Sequence, residues 1–249
     1  MDKKVLLSEL FIKNMLDLST HVQDLVRKHS PASVSFKPDG SPVTTLDLAL
    51  TELIENEVHQ HYPETSIYSE ESEKNWSFPL ISIDPLDGTR EFVNNRPEWA
   101  LSVAYLPSEK FEGTGWIYNP LTNESFYQGN SGDEVKNRYL GEVSRSEWEK
   151  GLFKTFQHQQ FEIRPMGSIA YKLGRLASKK IDFVVSLRPK DLWDIAAGTV
   201  LCHQAGLSFY SQGKKVTEVK KFYEPPLIWC SEKISDELLR LFQQKDKFD

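Results

Sequence analysis

Cysteine is nearly absent from this 249-residue chain: Cys202 and Cys230 stand alone, far apart and in no CxxC pair. That excludes a disulfide framework and a zinc knuckle, and it fits a reducing cytosol. Long apolar runs are also missing. Glu9, Lys13 and Asp17 interrupt the leader-like Val5-Leu6-Leu7 stretch, and nothing approaches the ~20 apolar residues of a membrane span. The expected location is cytoplasmic, without a membrane partner, and the sequons at Asn75 and Asn123 read as chance matches. Positive charge is not in surplus: 30 Lys and Arg face 36 Asp and Glu, a formal net charge of −6. A nucleic-acid polymer is thereby excluded as the main partner, because phosphate backbones demand clustered cations. A small phosphorylated ligand remains open, since bound metals or a local cation patch override so modest a charge. There are no internal repeats or low-complexity segments, and the 27% charged and 39% hydrophobic residues are ordinary for a folded chain of one large or two modest domains.

Leu6, Leu10, Met15, Leu18, Val22 and Leu25 recur at helical spacing and predict a first helix that fades before Ser30-Pro31. Lys37-Pro38-Asp39-Gly40-Ser41-Pro42 reads as a loop or hairpin, either closing over a site or making a plain surface turn. From Thr44 a second helix carries Leu46, Leu50, Leu53, Ile54 and Val58 and ends at Tyr62-Pro63. Strands are expected at 66–68, 80–83, 100–105, 115–118, 140–143 and 183–185, with helices at 145–157, 169–178 and 195–205. A boundary near residue 135 divides an N-terminal α+β part, 1–135, from a C-terminal α/β part, 136–249.

Acids stand at the ends of these elements. Ile81-Ser82-Ile83 delivers Asp84 to a strand tip, Pro85 stops the strand, and Asp87 sits on the turn. Gly88-Thr89-Arg90-Glu91-Phe92 opens a short helix whose first N–H groups are free for an anion. Glu70-Glu71 follows another strand, Asp194 opens a helix, and Asp47 lies in the first turn of the second helix. Carboxylates brought to about 4 Å repel by up to ~4 kcal/mol at an effective dielectric near 20, so a converged set must be protonated or filled by cations. Oxygen ligands without His or Cys favour Mg²⁺, with Mn²⁺ as the alternative, over zinc or copper. Each fragment alone has a bland explanation: DG is a common turn, EE pairs are usually solvated, and WD often caps a helix. Their joint presence carries the reading.

Ser41-Pro42-Val43-Thr44-Thr45-Leu46-Asp47, Ser69-Glu70-Glu71-Ser72, Asp84-Pro85-Leu86-Asp87-Gly88-Thr89 and Leu192-Trp193-Asp194-Ile195-Ala196-Ala197-Gly198 resemble, in order, the motifs of the inositol monophosphatase superfamily. Gly167-Ser168 with Tyr171-Lys172 falls where that superfamily has a further Gly-Ser motif, and the resemblance spans roughly residues 5–231. It implies an α+β fold, a layered αβαβα sandwich of the inositol monophosphatase / fructose-1,6-bisphosphatase type, and metal-assisted hydrolysis of a phosphate monoester. By motif, it implies that Glu70, Asp84 and the Leu86 carbonyl hold one metal and that Asp84, Asp87 and Asp194 hold a second, with Asp47 helping at a third. Two or three Mg²⁺ per site are therefore expected. Glu70, Thr89 and Asp47 form the implied catalytic set, the Thr89 hydroxyl orienting the attacking water while Gly88 and Thr89 grip phosphate through N–H groups. Lithium sensitivity, a homodimer and a closing Lys37 loop are further expectations of the resemblance.

The haloacid dehalogenase type is set aside, because its DxDGT motif uses the first Asp as a covalent nucleophile and the spacing here is DxxDGT. A non-catalytic interaction protein keeping the same fold would show a lost ligand, and none is lost. Arg90-Glu91 and Val143-Ser144-Arg145-Ser146 look closer to the 3′(2′),5′-bisphosphate nucleotidase branch than to the inositol branch. Ser186-Leu187-Arg188-Pro189-Lys190 is net basic where inositol-specific members carry an acid. Arg188 or Lys190, with Lys172, can meet a second phosphate through charge-assisted hydrogen bonds, though each alone also reads as a solvated cation. The substrate-side set is thus Gly88, Thr89, Ser168, Lys172, Arg188 and Lys190. The preferred substrate is 3′(2′)-phosphoadenosine 5′-phosphate, with inositol 1-monophosphate or a related sugar phosphate as the alternative.

Overall fold

A computed structural model describes residues 3–29, 33–38, 40, 42–72, 74–132 and 136–243. Ser30-Pro31, Asp39, Ser41 and the expected boundary at residue 135 lie outside the described residues. The chain opens with α1 (Lys3–Lys28), a hairpin of β1 (Val34–Phe36) and β2 (Pro42–Thr44), and α2 (Thr45–His61). It continues through β3 (Ser66–Ser69), β4 (Leu80–Asp87), α3 (Thr89–Val93), β5 (Ala100–Leu106), β6 (Thr114–Asn119) and β7 (Glu124–Phe126). Next come β8 (Tyr139–Ser144), α4 (Arg145–Glu149), β9 (Phe161–Met166), α5 (Ile169–Ala177), β10 (Phe183–Ser186), β11 (Lys190–Asp191) and α6 (Leu192–Gln204). The last elements are β12 (Ser208–Ser211), β13 (Lys214–Lys215), β14 (Phe222–Tyr223), β15 (Leu227–Cys230) and α7 (Glu232–Gln243).

Two mixed sheets carry the architecture, one ordered β3-β4-β5-β6-β7 and the other β13-β12-β15-β10-β8-β9. Alternation along the strands sends successive side chains to opposite faces. Ile81, Ile83, Leu101 and Val103 meet Phe11, Met15 and Val22 of α1 and Leu46, Leu50 and Ile54 of α2. From the other face, Leu80, Ala100 and Ala104 join Leu173 of α5 and Ile195 and Leu201 of α6, which also reach Val184, Phe209 and Trp229 of the second sheet. The far face of that sheet packs Val143, Phe183, Val185 and Ile228 against Ile234, Leu238 and Phe242 of α7. The layers therefore run α1/α2, sheet, α5/α6, sheet, α7, the expected αβαβα sandwich.

Three local expectations change. β4 does not stop at Pro85: its pairing with β5 holds through Asp84↔Ser102, skips, and resumes at Asp87↔Ala100. Proline has no N–H to donate, so the ladder breaks at that point without ending. The helix expected over 145–157 covers only Arg145–Glu149, because the chain reaches Gly151 with φ +81°. The helix expected from Ile195 starts at Leu192, which moves Asp194 from its opening to its third position. In the middle layer, a Cβ on Gly198 would lie 2.3 Å from Leu173 Cβ, so only glycine lets α6 approach α5 this closely. That approach sets the position of the start of α6 relative to the first sheet.

Candidate active site

The interruption in β4 has a consequence for charge. Asp84, Asp87 and Asp194 each bring one carboxylate oxygen within 4.8 Å of the others, joining the end of β4 to the start of α6. Asp84 is fully buried; its Oδ1 accepts the Leu86 N–H at 3.0 Å, while its Oδ2 has no hydrogen-bond partner. A buried carboxylate oxygen without a donor costs several kcal/mol unless a cation meets it. The oxygen-only donor set suits a hard cation, so the residues present fit magnesium. Burial pushes the Asp84 carboxyl well above its usual range, and the charges of Glu70, Asp87 and Asp194 push the same way. Burial likewise raises Asp194 to about 7 in spite of Lys190, with Asp87 and Glu70 adding to the rise.

Each carboxylate is aimed by a local device. Asp47 and Asp194 both occupy the third position of a helix and turn back to its start: Asp47 Oδ2 accepts the Thr44 N–H at 2.7 Å and the Thr44 hydroxyl at 2.5 Å, and Asp194 Oδ2 accepts the Asp191 N–H at 2.9 Å. Asp87 Oδ2 accepts the Ser168 hydroxyl at 2.5 Å and the Ala170 N–H at 2.6 Å, so the start of α5 fixes the orientation of this carboxylate. Ser168 takes φ +50° to reach this position, a strained conformation held at the junction of the two sheets. The Thr89 hydroxyl lies 3.3 Å from Asp47 Oδ1 and 3.1 Å from the Leu86 carbonyl. Gly88 holds φ +97°, and a Cβ there would stand 3.1 Å from the Glu98 carbonyl oxygen.

A cavity of about 840 Å³ opens over these groups, lined by Glu70, Asp87, Gly88, Thr89, Ser168 and Lys190 among others. The structure thus brings together Asp47, Asp84, Leu86, Asp87, Gly88, Thr89, Ser168 and Asp194. Glu70 stands at the cavity edge outside the tight trio, and its carboxylate receives Lys37 Nζ at 2.7 Å. Burial raises the Glu70 pKa, and the Lys37 ammonium opposes that rise.

The three substrate-side cations fare differently. Lys172 is buried and donates to the carbonyls of Met166, Gly167 and Ser168 at 3.1, 3.3 and 2.9 Å, so it holds that turn; burial lowers it to about 8. Lys190 lines the cavity, and among the described residues its ammonium has no hydrogen-bond or ion-pair partner. Burial opposes its charge, but Asp194, Asp87, Glu147 and Asp84 outweigh burial and raise its pKa. Arg188 is exposed and does not line the cavity.

Sequence reasoning missed the pairings that cross the chain. Lys37 Nζ bridges Glu70 and Glu71, at 2.7 and 2.6 Å, and so brings the β1–β2 hairpin to the cavity; of the two readings of that loop, this contact favours closure. Arg145 pairs with Glu98, whose carboxylate also accepts the Gly167 N–H at 3.2 Å, steadying the turn before Ser168. Nothing local signals a partner 47 residues away.

The profile of the inositol monophosphatase family matches residues 11–247. A fructose-1,6-bisphosphatase/inositol-1-monophosphatase of Thermotoga maritima is 28% identical over 178 residues, covering 66% of this chain and 69% of that protein. The Nus factor SuhB of Vibrio cholerae is 28% identical over 216 residues, covering 75% and 78%. The solved structure of a Thermotoga maritima IMPase superposes with a TM-score of 0.79 at 24% identity, covering 92% of this chain and 95% of that one.

Proposed function

The chain belongs to the inositol monophosphatase family of magnesium-dependent phosphatases, and from that premise we propose that it hydrolyses a bisphosphorylated nucleoside of the 3′(2′)-phosphoadenosine 5′-phosphate type at the Asp84, Asp87 and Asp194 cluster. The observation that carries the site assignment is the partnerless, buried Asp84 Oδ2 within that cluster. Glu70, Asp84, the Leu86 carbonyl, Asp87 and Asp194 would hold the magnesium. When bound, magnesium lowers the pKa of a coordinated water and offsets charge on the transferred phosphoryl group.

The remaining work falls to this chain's own residues. The Thr89 hydroxyl donates to Asp47 Oδ1, which turns its oxygen lone pairs toward the attacking water. A proton leaving that water is then accepted at Thr89 Oγ1 while the Thr89 proton moves to Asp47. Asp47 suits this duty because burial raises its pKa above the usual carboxylate range. Gly88 and Thr89, at the start of α3, would offer their backbone N–H groups to the phosphate. The P–O bond to the leaving group breaks as the water oxygen joins phosphorus, and the leaving oxygen takes up a proton from solvent to become the alcohol, so label from ¹⁸O water enters phosphate and never the protein.

The unpartnered Lys190 ammonium supports a second phosphate on the substrate, and Arg90, exposed on the cavity rim, adds a cation to it. The name borne by the Thermotoga relative, a fructose-1,6-bisphosphatase/inositol-1-monophosphatase, supports a second reading, an inositol or sugar phosphate. Phosphate release from 3′-phosphoadenosine 5′-phosphate, inositol 1-phosphate and fructose 1,6-bisphosphate, with and without Mg²⁺, tests both. The expected order puts the nucleotide first, with Lys190→Ala raising its KM about tenfold, the size of one lost charge-assisted contact. An equal rate with inositol 1-phosphate, or a Lys190→Ala enzyme with unchanged discrimination, overturns the nucleotide preference. No release from any of the three would favour a binding role for the fold.

We also propose the division at residue 135, supported by a five-stranded sheet drawn from 66–126 and a six-stranded one drawn from 139–230.

A further inference from the structure

The mouth of the cavity carries an apolar surface that phosphate hydrolysis does not need. Val34 and Phe36 stand two residues apart on β1 and so share a face, and Pro42 is the register partner of Phe36 across the hairpin. All three line the cavity, together with Val93 at the end of α3. Phe36 is 73% exposed, Val34 40% and Val93 39%, although the side chains around them in the cavity are mostly charged or polar. A single exposed apolar residue is ordinary; three of them, with half-buried Pro42 beside Phe36, on the rim of one polar cavity are not. This hairpin is also anchored, because Lys37, the next residue after Phe36, reaches Glu70 and Glu71 at 2.7 and 2.6 Å. The apolar face is thereby held at the edge of the acid cluster. A polyol has no flat apolar surface to bury against it, whereas a planar ring does. Arg90 shares the rim, and a guanidinium stacks on planar π systems as readily as it pairs with anions.

We infer that Phe36, with Val34, Pro42 and Val93, forms a subsite for a planar heteroaromatic ring carried by the leaving alcohol, so that this chain selects ring-bearing phosphomonoesters over bare sugar phosphates. The inference rests on reading the cavity as a phosphomonoester site, and it concerns the ring alone, not the second phosphate. The ring lies against the Phe36 face while the ester phosphate sits at Gly88 and Thr89.

The test compares adenosine 2′-monophosphate with ribose 5-phosphate, each bearing one phosphate, in the Mg²⁺-loaded wild-type, Phe36→Ala and Phe36→Trp proteins. In the wild type, KM for the adenosine ester is expected to be about tenfold lower than for the ribose ester, the scale of one ring stacked on an aromatic side chain. Phe36→Ala collapses that ratio toward one through KM, and Phe36→Trp restores it. Circular dichroism spectra and melting temperatures establish that both variants are folded. Equal KM values in the wild type, or a ratio that survives in Phe36→Ala, overturn the subsite. So does a Phe36→Ala protein whose oligomeric state changes while its ratio does not, since the face would then be covered by a second copy. Neither ester carries a second phosphate, so this ratio does not depend on Lys190; base discrimination here together with an unchanged KM of Lys190→Ala for 3′-phosphoadenosine 5′-phosphate would refute the bisphosphate preference and leave the ring subsite standing.

Discussion

Asp194 shows at the scale of a single residue how function is set against stability. It is partly buried, its Oδ2 accepts the Asp191 N–H, and its pKa is raised to about 7 by desolvation and by its acidic neighbours. Asp194→Asn keeps the size and the backbone hydrogen bond while removing the charge. Melting temperature without metal should therefore rise by about 2–8 °C, on the scale of about 1–2 kcal/mol for a chain of this size. Turnover should fall at least ~10³-fold and added Mg²⁺ should no longer stabilise, a pattern that paired melting curves and phosphate-release rates would check. Thr89→Val removes the hydroxyl that touches Asp47 Oδ1 at 3.3 Å and the Leu86 carbonyl at 3.1 Å. Its kcat is expected to drop roughly 10²-fold or more with KM little changed, as befits a group acting on the attacking water. A KM effect instead would make Thr89 a phosphate ligand only.

At the scale of elements, the site depends on where strands and helices stop. The break in the β4 ladder between Asp84 and Asp87 and the left-handed Gly88 that follows turn one strand end into a cluster edge and a phosphate cradle. Gly88→Ala must carry a Cβ at φ +97° and 3.1 Å from both the Glu98 carbonyl oxygen and Trp99 Cβ. A loss of about 1–3 kcal/mol is expected in chemical denaturation, with weaker competitive inhibition by inorganic phosphate. Helices α2 and α6 each spend their third residue on the same capping geometry, and Thr44 followed by Asp47 is a pattern legible in the bare sequence. The shortness of α4 and the full length of β4 were not legible, because a single Pro or Gly marks an irregularity without saying whether the element resumes beyond it.

For the whole molecule, the middle layer holds the two halves of the site together. Leu173 of α5 is fully buried against Gly198 and the core shared by both sheets. Leu173→Ala should cost about 2–5 kcal/mol, and since Asp87 is held by α5 while Asp194 rides on α6, it should also weaken Mg²⁺-dependent stabilisation. Titration acts at this scale too. Asp84 and Asp194 have folded pKa values above their unfolded ones, so between about pH 4 and 7 the folded chain binds more protons than the unfolded chain. These two groups therefore make metal-free stability fall as pH rises through that window. Saturating Mg²⁺ should flatten the decline, and melting curves across pH with and without metal would check it.

What the sequence by itself determined was the chemistry: acids near element ends, Gly88 at a turn, and a helix start at Thr44, all governed by local spacing and local backbone limits. Those signals sufficed for a metal-and-phosphate site and for the layered fold through its family motifs. Tertiary structure alone decided which charges meet. Lys172 and Lys190 are both lysines near motifs, yet one is consumed by three carbonyls while the other faces the cavity unpartnered; Arg188 points elsewhere. The partners of Lys37, Arg145 and Asp87 lie tens of residues away along the chain. Side-chain identity carries no information about such distances, because burial and pairing are set by the packing of whole layers.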